Sequence, residues 1–233
     1  MPVQRESDIN DFAYDYLRKH YITHLGVKNV QVNRAEKTKR GHTLDGLFSL
    51  RITPDKLFVA SLHTNSSKQI TSILLKYKKN GLSKLRYVTA LSLFITISLI
   101  TWKFAGATLV LAILTGLGMA TTGFVLHTVL DKQNRFRKIS NLVDALKLTP
   151  ANEQWLGLSI SSLAFRNNSL ANKLLELCER RGIGLITVGK RVKVVIIKEP
   201  RPQTCQQGDF LTHYEAEQQI RKALLGDSYL RVA

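Results

Sequence analysis

The chain has 233 residues, with 34 Lys and Arg against 17 Asp and Glu and a formal charge of +17. That balance excludes an acidic surface and points to a polyanionic partner: nucleic acid, anionic lipid headgroups, or both. Two cysteines, Cys178 and Cys205, exclude a disulfide scaffold, and the N-terminal Met1-Pro-Val-Gln-Arg-Glu-Ser-Asp lacks the apolar run of a signal peptide.

In chain order, Ser7-Asp8 offers a cap for a helix with Ile9, Phe12, Ala13, Tyr16, Leu17 and Leu25 as its apolar stripe, stopped by Gly26. Val30 and Val32 alternate with polar residues as a short strand does. Residues 37–41 form a basic turn, 43–52 a strand, Pro54-Asp55-Lys56 a tight turn and 57–62 the returning strand. Residues 66–79 carry Ile70, Ile73, Leu74 and Tyr77 at helical spacing and lead through Asn80-Gly81 to the most apolar part of the chain.

Tyr87 to Leu130 is 44 residues long and contains Lys103, His127 and no Arg, Asp or Glu. One helix needs roughly 20 apolar residues to cross a bilayer, so this stretch is long enough for two. The break at Trp102-Lys103-Phe104-Ala105-Gly106-Ala107 divides it into spans of 87–104 and 107–130, a transmembrane hairpin. Lys68, Lys76, Lys78, Lys79, Lys84 and Arg86 precede it, and Lys132, Arg135, Arg137 and Lys138 follow it. The positive-inside rule then sets both flanks, and both termini, on the cytoplasmic side of a bacterial inner membrane, with both cysteines reduced. In the second span Ala112, Gly116 and Ala120 recur every four residues, a spacing that lets helices pack closely within the hairpin or between chains.

Residues 134–148 carry Phe136, Ile139, Leu142, Val143 and Leu146 on a separate basic amphipathic helix stopped by Pro150. A strand at 155–160 follows. Asn168 caps a helix bearing Leu170, Leu174, Leu177 and Cys178, closed by Arg180-Arg181-Gly182. Two β-branched strands, 185–188 and 192–197, flank a Gly189-Lys190-Arg191 turn, and Pro200 and Pro202 end the globular pattern. The organisation expected is therefore one α/β domain in two halves, residues 1–86 and 131–202, interrupted by the hairpin at 87–130. Residues 203–233 form a polar tail with a short helix.

That order, with Thr43-Leu44-Asp45-Gly46-Leu47-Phe48, residues 57–63 (LFVASLH) and residues 174–188 (LLELCERRGIGLITV), resembles the restriction-endonuclease-like fold of the PD-(D/E)xK nucleases. The resemblance spans about residues 8–85 and 134–200. It implies a mixed sheet flanked by helices and, in active members, an Asp on one strand with an acidic residue two before a Lys on the next, holding Mg²⁺. Here Asp45 falls at the Asp position, Ser61 at the acidic position and His63 at the Lys position. A serine hydroxyl is a poor ligand for a hard dication, so half of the metal site is missing. Lys68 on the following helix stands where a migrated Lys would act, and Glu6, Asp8, Asp11 or Asp15 would have to supply the second carboxylate. Without them Asp45 is a locally hydrogen-bonded strand-end residue.

Outside that motif, His20 and His24 lie four apart on the first helix; no Cys or acidic residue nearby completes a metal set, and the pair reads as solvated or partly packed histidines. Lys37, Lys39 and Arg40, with Lys190, Arg191 and Lys193, form two basic clusters suited to nucleic-acid or lipid phosphate. The expectation is a membrane-anchored, non-catalytic nuclease-like module that binds nucleic acid or a protein partner, needs no cofactor, and belongs by resemblance with antiphage defence. The competing readings are an oligomeric membrane effector or pore controlled by the soluble domain, and an active Mg²⁺-dependent membrane-tethered nuclease.

Overall fold

The computed structural model describes residues 6–27, 29–53, 56–104, 106, 108–189, 193–206 and 208–226. Contacts divide the chain into two compact units, Met1–Leu75 with Ile139–Ala233, and Lys76–Lys138.

The first unit is built on one six-stranded mixed sheet. Its strands are β1 (Val30–Arg34), β2 (Gly46–Thr53), β3 (Lys56–His63), β4 (Glu153–Leu158), β5 (Ile183–Val188) and β6 (Val194–Lys198), adjacent in that order. β1, β2 and β3 form an antiparallel meander, β3–β4 and β4–β5 are parallel, and β5–β6 is antiparallel. The β3–β4 pairing, Ala60 opposite Glu153 through His63 opposite Leu156, joins the two sequence halves in one sheet. β5 is buried along its whole length, as parallel strands covered on both faces are.

Helix α1 (Glu6–Leu25) buries Ala13, Tyr14, Leu17 and Tyr21 against Phe48, Leu50, Ala60, Leu62, Trp155 and Ile186. The tyrosines, and not Tyr16 or the exposed Leu25, complete its inner face. Gly26, in the left-handed region at φ +63°, ends it. The other sheet face, Leu47, Leu57 and Val59, is covered by Leu211, Tyr214 and Ile220. The segment after Pro202, polar in composition, thus supplies part of the core, through a 3₁₀ turn at Phe210–His213 and α6 (Glu217–Leu225). The Tyr214 hydroxyl donates to the Pro150 carbonyl at 2.6 Å.

Helix α2 (Ser67–Asn80) buries Ile70 and Leu74. Helix α5 (Ser169–Arg181) lies along β5 and begins as expected: the Asn168 side-chain oxygen accepts from the amides of Leu170 and Ala171 at 3.1 and 3.2 Å. The Pro54-Asp55 turn and the Lys190-Arg191 turn lie outside the described residues.

The second unit holds α3 (Leu85–Phe104) and most of α4 (Leu109–Leu146), both long and apolar enough to cross a membrane, their most apolar 18-residue stretches having mean hydropathies of 1.5 and 2.0. The helix expected to start at Asn134 is not separate. α4 runs through because Asp131-Lys132-Gln133-Asn134 contains no Gly or Pro to stop it and Asp131 pairs with Arg135 one turn on, at 3.2 Å. Within the unit no α3 residue is buried, whereas Ala112, Gly116 and Ala120 are. A Cβ on Gly116 would collide with the Ser98 hydroxyl, so the missing side chain sets how closely the helices approach. Thr96, Thr101, Thr115, Thr122 and Thr128 donate to carbonyls one turn earlier at 2.8–3.0 Å, satisfying their hydroxyls without water.

Candidate functional site

Strand direction gathers the candidate residues. The C-terminal ends of β3, β4 and β5 and the N-terminal end of β2 lie at one edge of the sheet, where open α/β sheets carry their ligands. The loop 35–45 belongs to the same edge, as do Gly189 after β5 and Lys193 before β6. β2 and β5 are three strands apart, roughly 14 Å at the usual strand spacing.

Gly46 pairs with Leu62, which sets Asp45 opposite His63 and on the same face as Leu47 and Ser61. Gly46 is required because the Tyr14 ring lies where a Cβ would be. From there the Tyr14 hydroxyl donates to the Asp45 carbonyl, which also accepts from the Ala35 amide at 2.9 Å. The Asp45 carboxylate turns to the end of β3: one oxygen accepts from the amides of Thr64 and Asn65 at 2.5 and 2.9 Å. Asp45 thereby secures the turn from β3 into α2.

His63 is buried, with Nε2 at 2.8 Å from the Thr149 hydroxyl. Burial pushes its pKa down to about 4, against an upward pull from Asp45, so the ring is neutral near pH 7. Asp45, His63 and Thr149 line a cleft of about 340 Å³ with Gly41, His42 and Asn65. Ser61 is fully buried in the sheet, and its hydroxyl has no hydrogen-bond partner. Lys68 lies exposed on the first turn of α2.

Among the described residues no second carboxylate lines the cleft beside Asp45. α1 packs on the opposite sheet face, where Asp11 pairs with Arg34 at 2.7 Å and Asp15 is exposed; the side chains of Glu6 and Asp8 lie outside the described set. Mg²⁺ takes oxygen ligands in near-octahedral order. One carboxylate committed to two amides, beside a buried serine and a neutral histidine, does not fit it. Among the described residues no three His, Cys, Asp or Glu side chains form a metal-holding group.

Of the basic clusters, Lys37 and Arg40 are exposed on the 35–45 loop and Lys39 pairs with Glu217 at 2.8 Å. Lys193 is exposed beside the β5–β6 turn, while Lys190 and Arg191 lie outside the described residues.

A second cleft, about 230 Å³, was not legible in the sequence. It brings His20 and His24, with ring centroids 4.3 Å apart, together with Glu153 and Glu199. Acidic partners therefore do approach the histidine pair, through residues more than 120 positions away. Trp155 Nε1 donates to the Tyr21 hydroxyl at 2.7 Å and that hydroxyl to Glu153 at 2.6 Å. Burial raises the Glu153 pKa against these hydrogen bonds; burial and His24 lower that of His20. His20 and Glu153 are thus biased toward their neutral forms, which suits packing under α1 more than ion capture.

No protein family, curated protein or solved structure matches the chain.

Proposed function

We propose that the chain is a membrane-anchored, non-catalytic module of restriction-endonuclease-like architecture that holds nucleic acid at the cytoplasmic face of a bacterial inner membrane. The observation that carries this reading is one sheet edge: exposed Lys37, Arg40 and Lys193 share it with a degenerate Asp45–Ser61–His63 motif that lacks a second carboxylate. The meander of β1–β3 followed by parallel β4 and β5, with α1 and α5 as flanking helices, supports the resemblance. Lys and Arg contacts to phosphate give sequence-independent, salt-sensitive binding without chemistry. The hairpin α3–α4 is the anchor, and the basic residues at both of its ends set its orientation.

The test is retention of labelled duplex DNA by the reconstituted full chain in Mg²⁺. Intact DNA should be bound at low salt, released as salt rises, and held several-fold less tightly by Lys37→Gln/Arg40→Gln. Cleavage abolished by Asp45→Ala would replace this reading with a tethered nuclease.

A further inference from the structure

The unit Lys76–Lys138 contains ten Lys and Arg but a single acidic residue, Asp131. Where α2 ends and α3 begins, these charges surround a cleft of about 600 Å³ lined by Lys76, Lys79, Asn80, Ser83, Lys84 and Arg135. Asp131 is already committed: it pairs with Arg135 at 3.2 Å and accepts from the Ser83 amide at 2.9 Å. Lys76, Lys79 and Lys84 are exposed and have no acidic partner among the described residues. Three uncompensated ammonium groups around one cleft call for an anion from outside the chain.

Its surroundings select the anion. α3 starts at Leu85, and Leu85, Val88 and Leu91 are about 60% exposed. Arg86 sits 4.9 Å over the Tyr87 ring and 5.2 Å from Phe124, the aromatic and cationic combination found where hydrocarbon meets headgroups. A lipid phosphate can enter the cleft while its acyl chains run down the exposed Leu and Val side chains; a soluble polyanion satisfies only the first half of that surface. The amides at the start of α3 are not the donors, since those of Ser83 and Leu85 are taken by Asp131 and the Ser83 hydroxyl.

We infer that this cleft is a binding site for the phosphodiester headgroup of an anionic phospholipid, held by Lys76, Lys79 and Lys84. The inference rests on the membrane reading of α3–α4, and goes beyond the nucleic-acid edge of the sheet. Its test uses the full chain in neutral detergent with dihexanoyl phosphatidylglycerol, dihexanoyl phosphatidylcholine and inorganic phosphate, each titrated with native mass spectrometry as the readout. Phosphatidylglycerol should bind at least about tenfold tighter than phosphatidylcholine, at roughly a fivefold gain per lysine. Lys79→Gln/Lys84→Gln should cut that preference to about the fivefold that Lys76 alone supplies, and Lys103→Gln at the far end of α3 should leave it intact. Equal binding of the two lipids, or an unchanged preference in the double variant, would overturn the site. Displacement of phosphatidylglycerol by an equal concentration of inorganic phosphate would reassign it to a soluble anion. Release of the chain from membranes by alkaline carbonate would instead overturn the anchor itself.

Discussion

The two units of this chain follow opposite burial rules. In the sheet unit the fully buried side chains are large: Trp155, Tyr21, Tyr214 and Phe48. In the hairpin unit the buried positions among the described residues are Ala112, Gly116 and Ala120, while Leu91, Ile95, Leu99 and Val110 are exposed. Water drives large apolar groups inward, whereas lipid tails are as apolar as leucine and leave close backbone approach as the packing force. On the proposed membrane reading, the same residue types therefore carry different energetic weight in the two units.

The largest effect is expected at Trp155. Trp155→Ala removes a fully buried ring and the donor to Tyr21, and should cost about 3–5 kcal/mol in unfolding of the sheet unit followed by near-ultraviolet circular dichroism. Leu99→Ala in α3, where Leu99 is 53% exposed, should change stability in detergent by less than about 0.5 kcal/mol. Equal costs would remove the distinction between the units.

Asp45→Ala should cost about 1–3 kcal/mol, the loss of a charged acceptor for the Thr64 and Asn65 amides, and the loss should be the same with or without Mg²⁺ in a thermal melt. A Mg²⁺-dependent stabilisation present only with Asp45 would restore a metal role to it.

Within the hairpin, two glycines on one helix should behave differently. Gly116→Leu meets Ser98 and the Phe94 carbonyl and should cost about 1–3 kcal/mol, read as earlier thermal loss of helix in micelles. Gly118, with nothing within 4 Å of an added Cβ, should accept Ala with a gain of roughly 0.5–1 kcal/mol.

The smallest effect is a pH slope in the sheet unit. The folded pKa of His63, about 4, lies below its unfolded value near 6.5. The unfolded chain therefore binds the proton first, and this contribution to stability is intact above about pH 6.5 and lost as pH falls toward 4. The slope is at most about 1.4 kcal/mol per pH unit. His63→Gln should flatten that part of the stability curve, and an unchanged slope would show that His63 already titrates normally.

Much of this organisation is legible in the sequence for identifiable reasons. The hairpin declares itself by 44 residues almost without charge, and α5 by Asn168 at one end and Gly182 at the other. The junction into α4 is not legible, because polar residues at a span's end resemble a loop until the Asp131–Arg135 pair shows them to be helical. Nor is the core role of the final segment: Leu211 and Tyr214 fall in and beside a short 3₁₀ turn and α6 is short and mostly polar, so they and Ile220 meet the sheet only through tertiary folding. At the site, Asp45 was visible from its motif, but its commitment to Thr64 and Asn65 depends on the β2–β3 register. The approach of Glu153 and Glu199 to the histidine pair spans most of the chain and leaves no local signal.

In the proposed arrangement α3 and α4 cross a bilayer and hold the sheet unit on one side of it. A Cys205→Ser background leaves Cys178, fully buried with its thiol pushed up to about 12, as a silent residue. Single cysteines are then introduced at exposed Lys103 and exposed Arg40 and challenged with a membrane-impermeant maleimide in intact cells and in inside-out vesicles. Lys103→Cys should be labelled in intact cells and Arg40→Cys only in inside-out vesicles. Labelling of both from the same side would contradict it.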